Sequence, residues 1–217
     1  MSPIEVVSFD MEGTLVDPTF SNLIWEHDIP QLYADTHGVS LEQAKRSVLE
    51  KYGQMGDERI EWYDVSYWFR TLDLPGDWRE LLDERRDTCK AFPDSRGVLE
   101  RLRGRYILIV TSNTIREFLE VQLCDLAEFF DRVFSAPSDY GDVKKSADFY
   151  RRICDEMGVD PGKIVHVGDH FKFDYEAPLK LGIKAYHLDR SGKSRGEHVV
   201  HNLIEFEEKL RGLERTS

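Results

Sequence analysis

The sequence predicts an α/β fold, a doubly wound parallel sheet with helices on both faces, interrupted by a helical insert. Three observations predict it. Short apolar runs alternate with stretches of helical composition, the pattern of repeated βαβ units. One run, Tyr106-Ile107-Leu108-Ile109-Val110, is apolar throughout, as a strand covered on both faces requires. Between the first run and that one, residues 10–105 show helical spacing and no strand signal. A crossover needs only about a dozen residues, so the excess reads as an insertion.

The elements follow in order. Ile4-Glu5-Val6-Val7-Ser8-Phe9 is the first strand. In the insert, Ser40-Leu41-Glu42-Gln43 resembles a capping box opening a helix, and Leu41, Ala44, Val48, Leu49 and Tyr52 recur at helical spacing. Residues 58–72 and 78–90 are also helical in composition. These boundaries predict a core of residues 1–17 and 92–217 and an inserted helical domain of residues 18–91. The insert is rich in rings: Trp25, Trp62, Tyr63, Tyr67, Trp68, Phe69 and Trp78. They form either a small core of its own or, in part, the wall of a ligand pocket.

After the second strand come a helix over 115–123, a third strand at Arg132-Val133-Phe134 and a helix over 147–157 that Gly158 stops. A fourth strand spans Lys163-Ile164-Val165-His166-Val167. A helix over 175–181 ends before Gly182, a fifth strand covers 183–188, and a tail helix covers 203–210.

Composition narrows the function classes. Hydrophobic residues are 41% and charged residues 32% of the 217, a globular rather than disordered balance. The net charge of −12 opposes phosphate backbones at long range, so nucleic acid is not an expected partner. A small phosphorylated molecule stays open, because a local site can oppose the global charge. No apolar run approaches the roughly 20 residues of a membrane span. The start, Met1-Ser2-Pro3-Ile4-Glu5, lacks a basic segment followed by an apolar one, so no secretory signal is expected. Cys89, Cys124 and Cys154 lie far apart and form no CxxC pair, which predicts buried thiols in a reducing compartment and a cytoplasmic location.

Four segments carry residues suited to chemistry. Phe9-Asp10-Met11-Glu12-Gly13-Thr14-Leu15-Val16-Asp17 puts two carboxylates just past a buried strand, at the edge where parallel sheets bind ligands. Such carboxylates serve as nucleophile, metal ligand or acid/base, or simply as an acidic turn. Thr111-Ser112-Asn113 places hydroxyls and backbone N–H groups ahead of a helix, an anion site or an ordinary N-cap. Lys144-Lys145 precedes the helix that begins near Ala147. Gly168-Asp169-His170-Phe171-Lys172-Phe173-Asp174 again sets two acids at a strand end, hard oxygen ligands that suit Mg²⁺. His170 sits inside this last segment; the other histidines read as solvent-exposed loop residues.

In this order the four segments resemble the motifs of the haloacid dehalogenase-like hydrolase superfamily, most of whose members are phosphatases. The matching text is FDMEGTLVD (9–17), TSN (111–113), the lysine of VKKSADFY (143–150) and VGDHFKFD (167–174). The resemblance covers roughly 4–17 and 93–190, and the insert falls where the family carries its helical cap. It implies Asp10 as the nucleophile that forms an aspartyl-phosphate and Glu12 as general acid/base. It implies Mg²⁺ on Asp10, Asp169 and the backbone carbonyl of Glu12. Ser112 and the Asn113 N–H would grip the phosphoryl oxygens, Thr14 would join these phosphate-binding groups and order the loop, Lys144 would neutralise charge, and Asp174 would orient the metal shell.

The chain departs from the family pattern twice. Glu12 stands where Asp is usual, and one extra methylene still reaches a leaving oxygen. Lys145 stands where many members have Pro; spacing to Tyr150 favours Lys144 as the functional lysine, and the count from Tyr106 favours Ser112 over Thr111. The expected activity is Mg²⁺-dependent hydrolysis of a small phosphomonoester, phosphoglycolate-like or a sugar phosphate. The same fold also runs haloacid dehalogenases, whose chemistry needs no acid at Glu12, and phosphomutases. Outside the enzyme class stand a phospho-accepting receiver, against which the long insert argues, and a binding protein without turnover.

Overall fold

The computed structural model describes residues 4–215. The segment Met1–Pro3, on which the absence of a leader was argued, and the Cys124 side chain lie outside the described residues. The chain opens with β1 (Val6–Phe9) and enters the insert through α1 (Thr19–Leu23), a π-turn over Ile24–Asp28 and α2 (Ile29–His37). α3 (Leu41–Met55), a 3-10 turn over Ile60–Tyr63, α4 (Val65–Thr71) and α5 (Trp78–Arg85) complete it. α6 (Ser95–Leu102), β2 (Ile107–Ser112), α7 (Arg116–Leu123), β3 (Arg132–Ser135), α8 (Ala136–Tyr140), α9 (Ala147–Met157) and β4 (Ile164–Gly168) follow. The chain ends with α10 (Ala177–Leu179), β5 (Lys184–Leu188), β6 (Val199–Val200) and α11 (Leu203–Arg215).

The strands form one six-stranded sheet in the order β3-β2-β1-β4-β5-β6, and each neighbouring pair is parallel. Strand order reverses between β1 and β4, the switch point where open α/β sheets bind ligands. Register aligns the site: Phe9 pairs with Val110 on one side and Val167 on the other. Asp10, Thr111 and Gly168 therefore leave the sheet at the same level. β1 is buried along its whole length, as its position between two neighbours demands.

Local signals hold where they were strongest. Ser40 and Gln43 form the reciprocal capping box of α3. α9 starts on the Ser146 side chain and stops at Gly158 in the left-handed conformation. The region of 175–181, expected as one helix, is instead a π-turn over Phe171–Glu176 leading into the short α10. Pro178, with its missing N–H, leaves little room for a regular ladder there. β6 carried no sequence expectation; its two residues add an edge beside β5.

The chain leaves and re-enters the sheet layer at one place. Asp17 N donates to Lys90 O at 2.9 Å and Phe92 N donates to Leu15 O at 2.9 Å. The inserted helices have no separate apolar core. Val48, Tyr52 and Trp68 belong to one cluster with Val7, Phe9 and Val110 of the sheet. The rings make the join: Phe118 of α7 packs at 5.4 Å against Phe20 and at 5.7 Å, nearly parallel, on Trp25. The opposite sheet face packs a second cluster, including Val6, Ile109, Phe149 and Ile164. Cys89 and Cys154 are buried and form no disulfide. Among the described residues no helix is long and apolar enough to cross a membrane.

Candidate active site at the carboxyl edge of the sheet

The loop after β1 is wound tightly on one carbonyl. Met11 O accepts from Leu15 N at 2.8 Å and Val16 N at 3.1 Å, and Gly13 turns with φ 80°. A side chain at Gly13 would bring its Cβ to 2.2 Å from Asp169 Oδ2, so glycine is what lets the loop lie against that carboxylate. Gly168 does the same for Asp174, whose Cγ would stand 2.3 Å from an added Cβ.

These loops converge on a cavity of about 250 Å³ walled by Asp10, Glu12, Ser112, Asn113, Lys145 and Asp169, among others. Lys145 is its hub. The ammonium lies 2.5 Å from Asp10 Oδ1 and 2.5 Å from Asp174 Oδ1, donates to Thr111 O at 3.1 Å, and is 1% exposed. Lys144, expected in this role, points the other way. It donates to Asp57 at 2.7 Å and Glu58 at 3.0 Å in the insert. The correction has a local cause: Lys145 N is tied to Asn113 Oδ1 at 2.6 Å, which fixes the backbone with that residue facing Asp10.

Other expectations sort by geometry. Ser112 lines the cavity and accepts from Thr114 N at 3.1 Å, whereas the Thr111 hydroxyl turns away to Ser8 at 3.2 Å. Asn113 also lines the cavity, although α7 begins only at Arg116, so the loop rather than the helix end supplies these groups. His170 lines the cavity as well. Thr14 does not: it is fully buried beneath the loop, its hydroxyl has no partner among the described residues, and its carbonyl accepts from Arg190 at 2.7 Å. The Gly13 turn directs it inward, which corrects its expected place among the phosphate-binding groups.

Glu12 has a definite address. Its Oε2 accepts from Gln122 Nε2 at 2.5 Å and from the Ser21 hydroxyl, joining the loop to α7 and α1. Its carboxylate is thus committed to Ser21 and Gln122 and is not among the acids that cluster with Asp10. Glu12 and Thr114 also line a second cavity of about 550 Å³ beneath the insert, so the two spaces meet at this acid. Sequence reasoning missed Ser21, Thr114 and Gln122; isolated polar residues far apart in the chain carry no motif.

His166 was missed too. It is fully buried on β4, not in a loop. Its position as the polar residue between Val165 and Val167 was the available signal. Burial lowers its pKa, so the ring is neutral. Ser8 donates to Nδ1 at 2.8 Å, and Nε2–H donates to Asp174 Oδ1 at 3.1 Å, the tautomer that satisfies both partners. The His170 N–H donates to the other Asp174 oxygen at 3.0 Å.

Electrostatics divide the acids. Burial works to raise Asp174, yet Lys145 and His166 hold it well below the usual carboxylate range. Asp10 is pushed well up, by burial first and by Asp174 and Asp169 with it, against the opposing pull of Lys145. Asp169 is pushed up to about 6, first by enclosure of its carboxyl and then by the charge of Asp174. Burial also raises Glu12, despite its hydrogen bonds from Ser21 and Gln122.

Carboxylate oxygens of Asp10, Asp169 and Asp174 lie within 4.8 Å of one another. Lys145 is the one cation that meets these three acids among the described residues, so the group carries surplus negative charge. An all-oxygen set with surplus negative charge fits a hard divalent cation. Asp174 is already held by three protein donors, which suits it to support rather than ligation.

Residues 4–182 match the family described as haloacid dehalogenase-like hydrolase. Among curated proteins, the chain is 21% identical over 184 residues to the GMP/IMP nucleotidase YrfG of Escherichia coli, covering 83% of this chain and 81% of that protein. It is 24% identical over 226 residues to enolase-phosphatase E1 of Sorangium cellulosum, covering 94% and 95%. Among solved structures, a HAD phosphatase from Thermococcus onnurineus superposes with TM-score 0.82 at 25% identity, covering 96% of this chain and 99% of that one. The L-2-haloacid dehalogenase of Xanthobacter autotrophicus, at TM-score 0.64, 20% identity and coverage of 97% and 99%, shares the fold.

Proposed function

The chain belongs to the haloacid dehalogenase-like hydrolase family, and within it we propose a Mg²⁺-dependent phosphatase that cleaves a small phosphomonoester through an aspartyl-phosphate. The observation that carries this reading is Glu12, a half-buried acid with raised pKa at the junction of the two cavities. A dehalogenase has no leaving oxygen to protonate and no use for such an acid. Phosphoester cleavage needs one that is protonated when the alcohol leaves. The phosphatase and nucleotidase names of the relatives agree with this reading.

The geometry supports the following division of labour. An Asp10 carboxylate oxygen attacks phosphorus and forms the O–P bond while the bond to the alcohol oxygen breaks. Glu12 gives that oxygen its proton. Glu12, now a base, takes a proton from water, which attacks phosphorus, breaks the bond to Asp10 and frees phosphate. Lys145, Ser112 and the Asn113 N–H face the phosphoryl oxygens, where charge gathers in the transition state. Asp10, Asp169 and the Glu12 carbonyl would hold Mg²⁺, which when bound offsets charge on those oxygens. Residues 18–91 act as the cap, a reading that the paired hydrogen bonds at Asp17 and Phe92 support.

Phosphate release from an aryl phosphate is expected to need Mg²⁺ and to stop in chelator. Full activity in chelator would sink the metal assignment, and chloride release from chloroacetate would move the protein to dehalogenase chemistry. The two lysines separate in kcat. Lys145→Met should cost about 10²–10³-fold, the scale of a lost donor to transition-state charge. Lys144→Met should stay within about threefold, since its partners Asp57 and Glu58 are exposed. The reverse ranking in folded variants would restore Lys144 to the site.

A further inference from the structure

The cavity beneath the insert is built from rings and, among the described residues, has no cation in its wall. Trp25, Trp62, Tyr52, Tyr63 and Phe118 line it, with Leu49 of α3 at its edge, 50% exposed. Trp25 is fixed between Trp62 and Phe118, nearly parallel to both, at 6.3 and 5.7 Å. The aromatic wall is therefore held in place by its own packing, without a ligand. The Tyr52 hydroxyl is 9% exposed as a residue and unpartnered among the described residues, a buried donor facing no protein acceptor.

The charges in the wall are acidic: Glu12, Glu26 and Asp57. No lysine, arginine or histidine lines it among the described residues. The nearby ammonium, Lys144, is spent on Asp57 and Glu58 and 12% exposed. A second anion on the substrate would meet like charge with no cation in the wall to offset it. A polyhydroxylated chain would lose water hydrogen bonds against ring faces. A flat apolar group would lose nothing and bury its surface.

We infer that this cavity receives the alcohol part of the substrate, and that this part is an uncharged group bearing a planar ring. The inference rests on the phosphatase reading and narrows it, setting phosphoglycolate and simple sugar phosphates aside. Glu12, shared by both cavities, then stands where the phosphate joins the alcohol.

The test compares alkyl esters, so that leaving-group strength does not decide the outcome. With Mg²⁺, kcat/KM for 2-(1-naphthyl)ethyl phosphate is expected to exceed that for glycerol phosphate and for phosphoglycolate by at least about tenfold, the scale of burying one ring. Leu49→Asp, at a half-exposed position, should lower the ratio of the naphthyl to the glycerol phosphate value about tenfold. In parallel, tryptophan fluorescence reads binding of the uncleavable 2-(1-naphthyl)ethylphosphonate and phosphonoacetate. Tighter binding of the ring phosphonate with no turnover of any ester would uphold the pocket and overturn the phosphatase. Turnover with phosphoglycolate preferred, or equal binding of the two phosphonates, would overturn the pocket.

Discussion

Asp10→Asn is expected to abolish turnover, by about 10⁴-fold or more, the scale on which lost nucleophiles act. The amide keeps the shape of the carboxylate but cannot attack phosphorus. Its effect on stability should have the opposite sign. The Asp10 pKa is raised in the folded chain, by burial and by Asp174 and Asp169 beyond what Lys145 offsets. A raised carboxyl stabilises the fold at low pH and loses that contribution as pH climbs through its folded value. At neutral pH in chelator, the charge on Asp10 therefore costs stability, and the neutral amide removes the cost. Lys145 keeps Asp174 as its partner. The variant should melt above wild type, by about 2–4 °C for each kcal/mol recovered, and the gap should close as pH falls. Thermal melts at pH 7 and pH 4 check it. A variant that turns over like wild type, with deamidation excluded by mass, would end the nucleophile assignment.

Glu12→Gln is expected to cost about 10²–10⁴-fold with an alkyl phosphate and less with an aryl phosphate, whose leaving oxygen needs little protonation. The Gln side chain still offers an oxygen to Ser21 and Gln122, so the loop should keep its place. Attack by Asp10 survives while water activation does not, so the aspartyl-phosphate should accumulate. Rapid-quench kinetics should show a burst of aryl alcohol followed by slow turnover. Equal losses for both substrates, without a burst, would reduce Glu12 to a structural acid of the loop.

The sequence was most legible where chemistry clusters along the chain. Asp10 with Glu12 and Asp169 with Asp174 each sit within one turn, and the register of β1 with β4 brings the turns together. Ser112 and Asn113 were legible for the same reason. The choice between Lys144 and Lys145 was not, because neighbouring residues point oppositely and the deciding contact comes from Asn113, across the site. Thr14 matched a motif by position, yet the Gly13 turn carries its side chain inward. The apolar spacing of the insert was correct, but spacing does not say which neighbour covers it. Phe118, from a helix of the sheet layer, does.

The sequence by itself determined the sheet, the insert and the acids at the sheet edge. Strand burial, helix caps and turn glycines are local, and a parallel sheet delivers its strand ends to one edge whatever else it carries. Only the tertiary structure decided which lysine meets Asp10, that His166 braces Asp174, and that Glu12 is held between Ser21 and Gln122. It alone showed the ring-lined cavity, with no cation among the described residues of its wall, built from α1, the π-turn after it, α3, the 3-10 turn and α7. Such features depend on side chains far apart in sequence meeting at angströms, and no spacing along the chain encodes that distance.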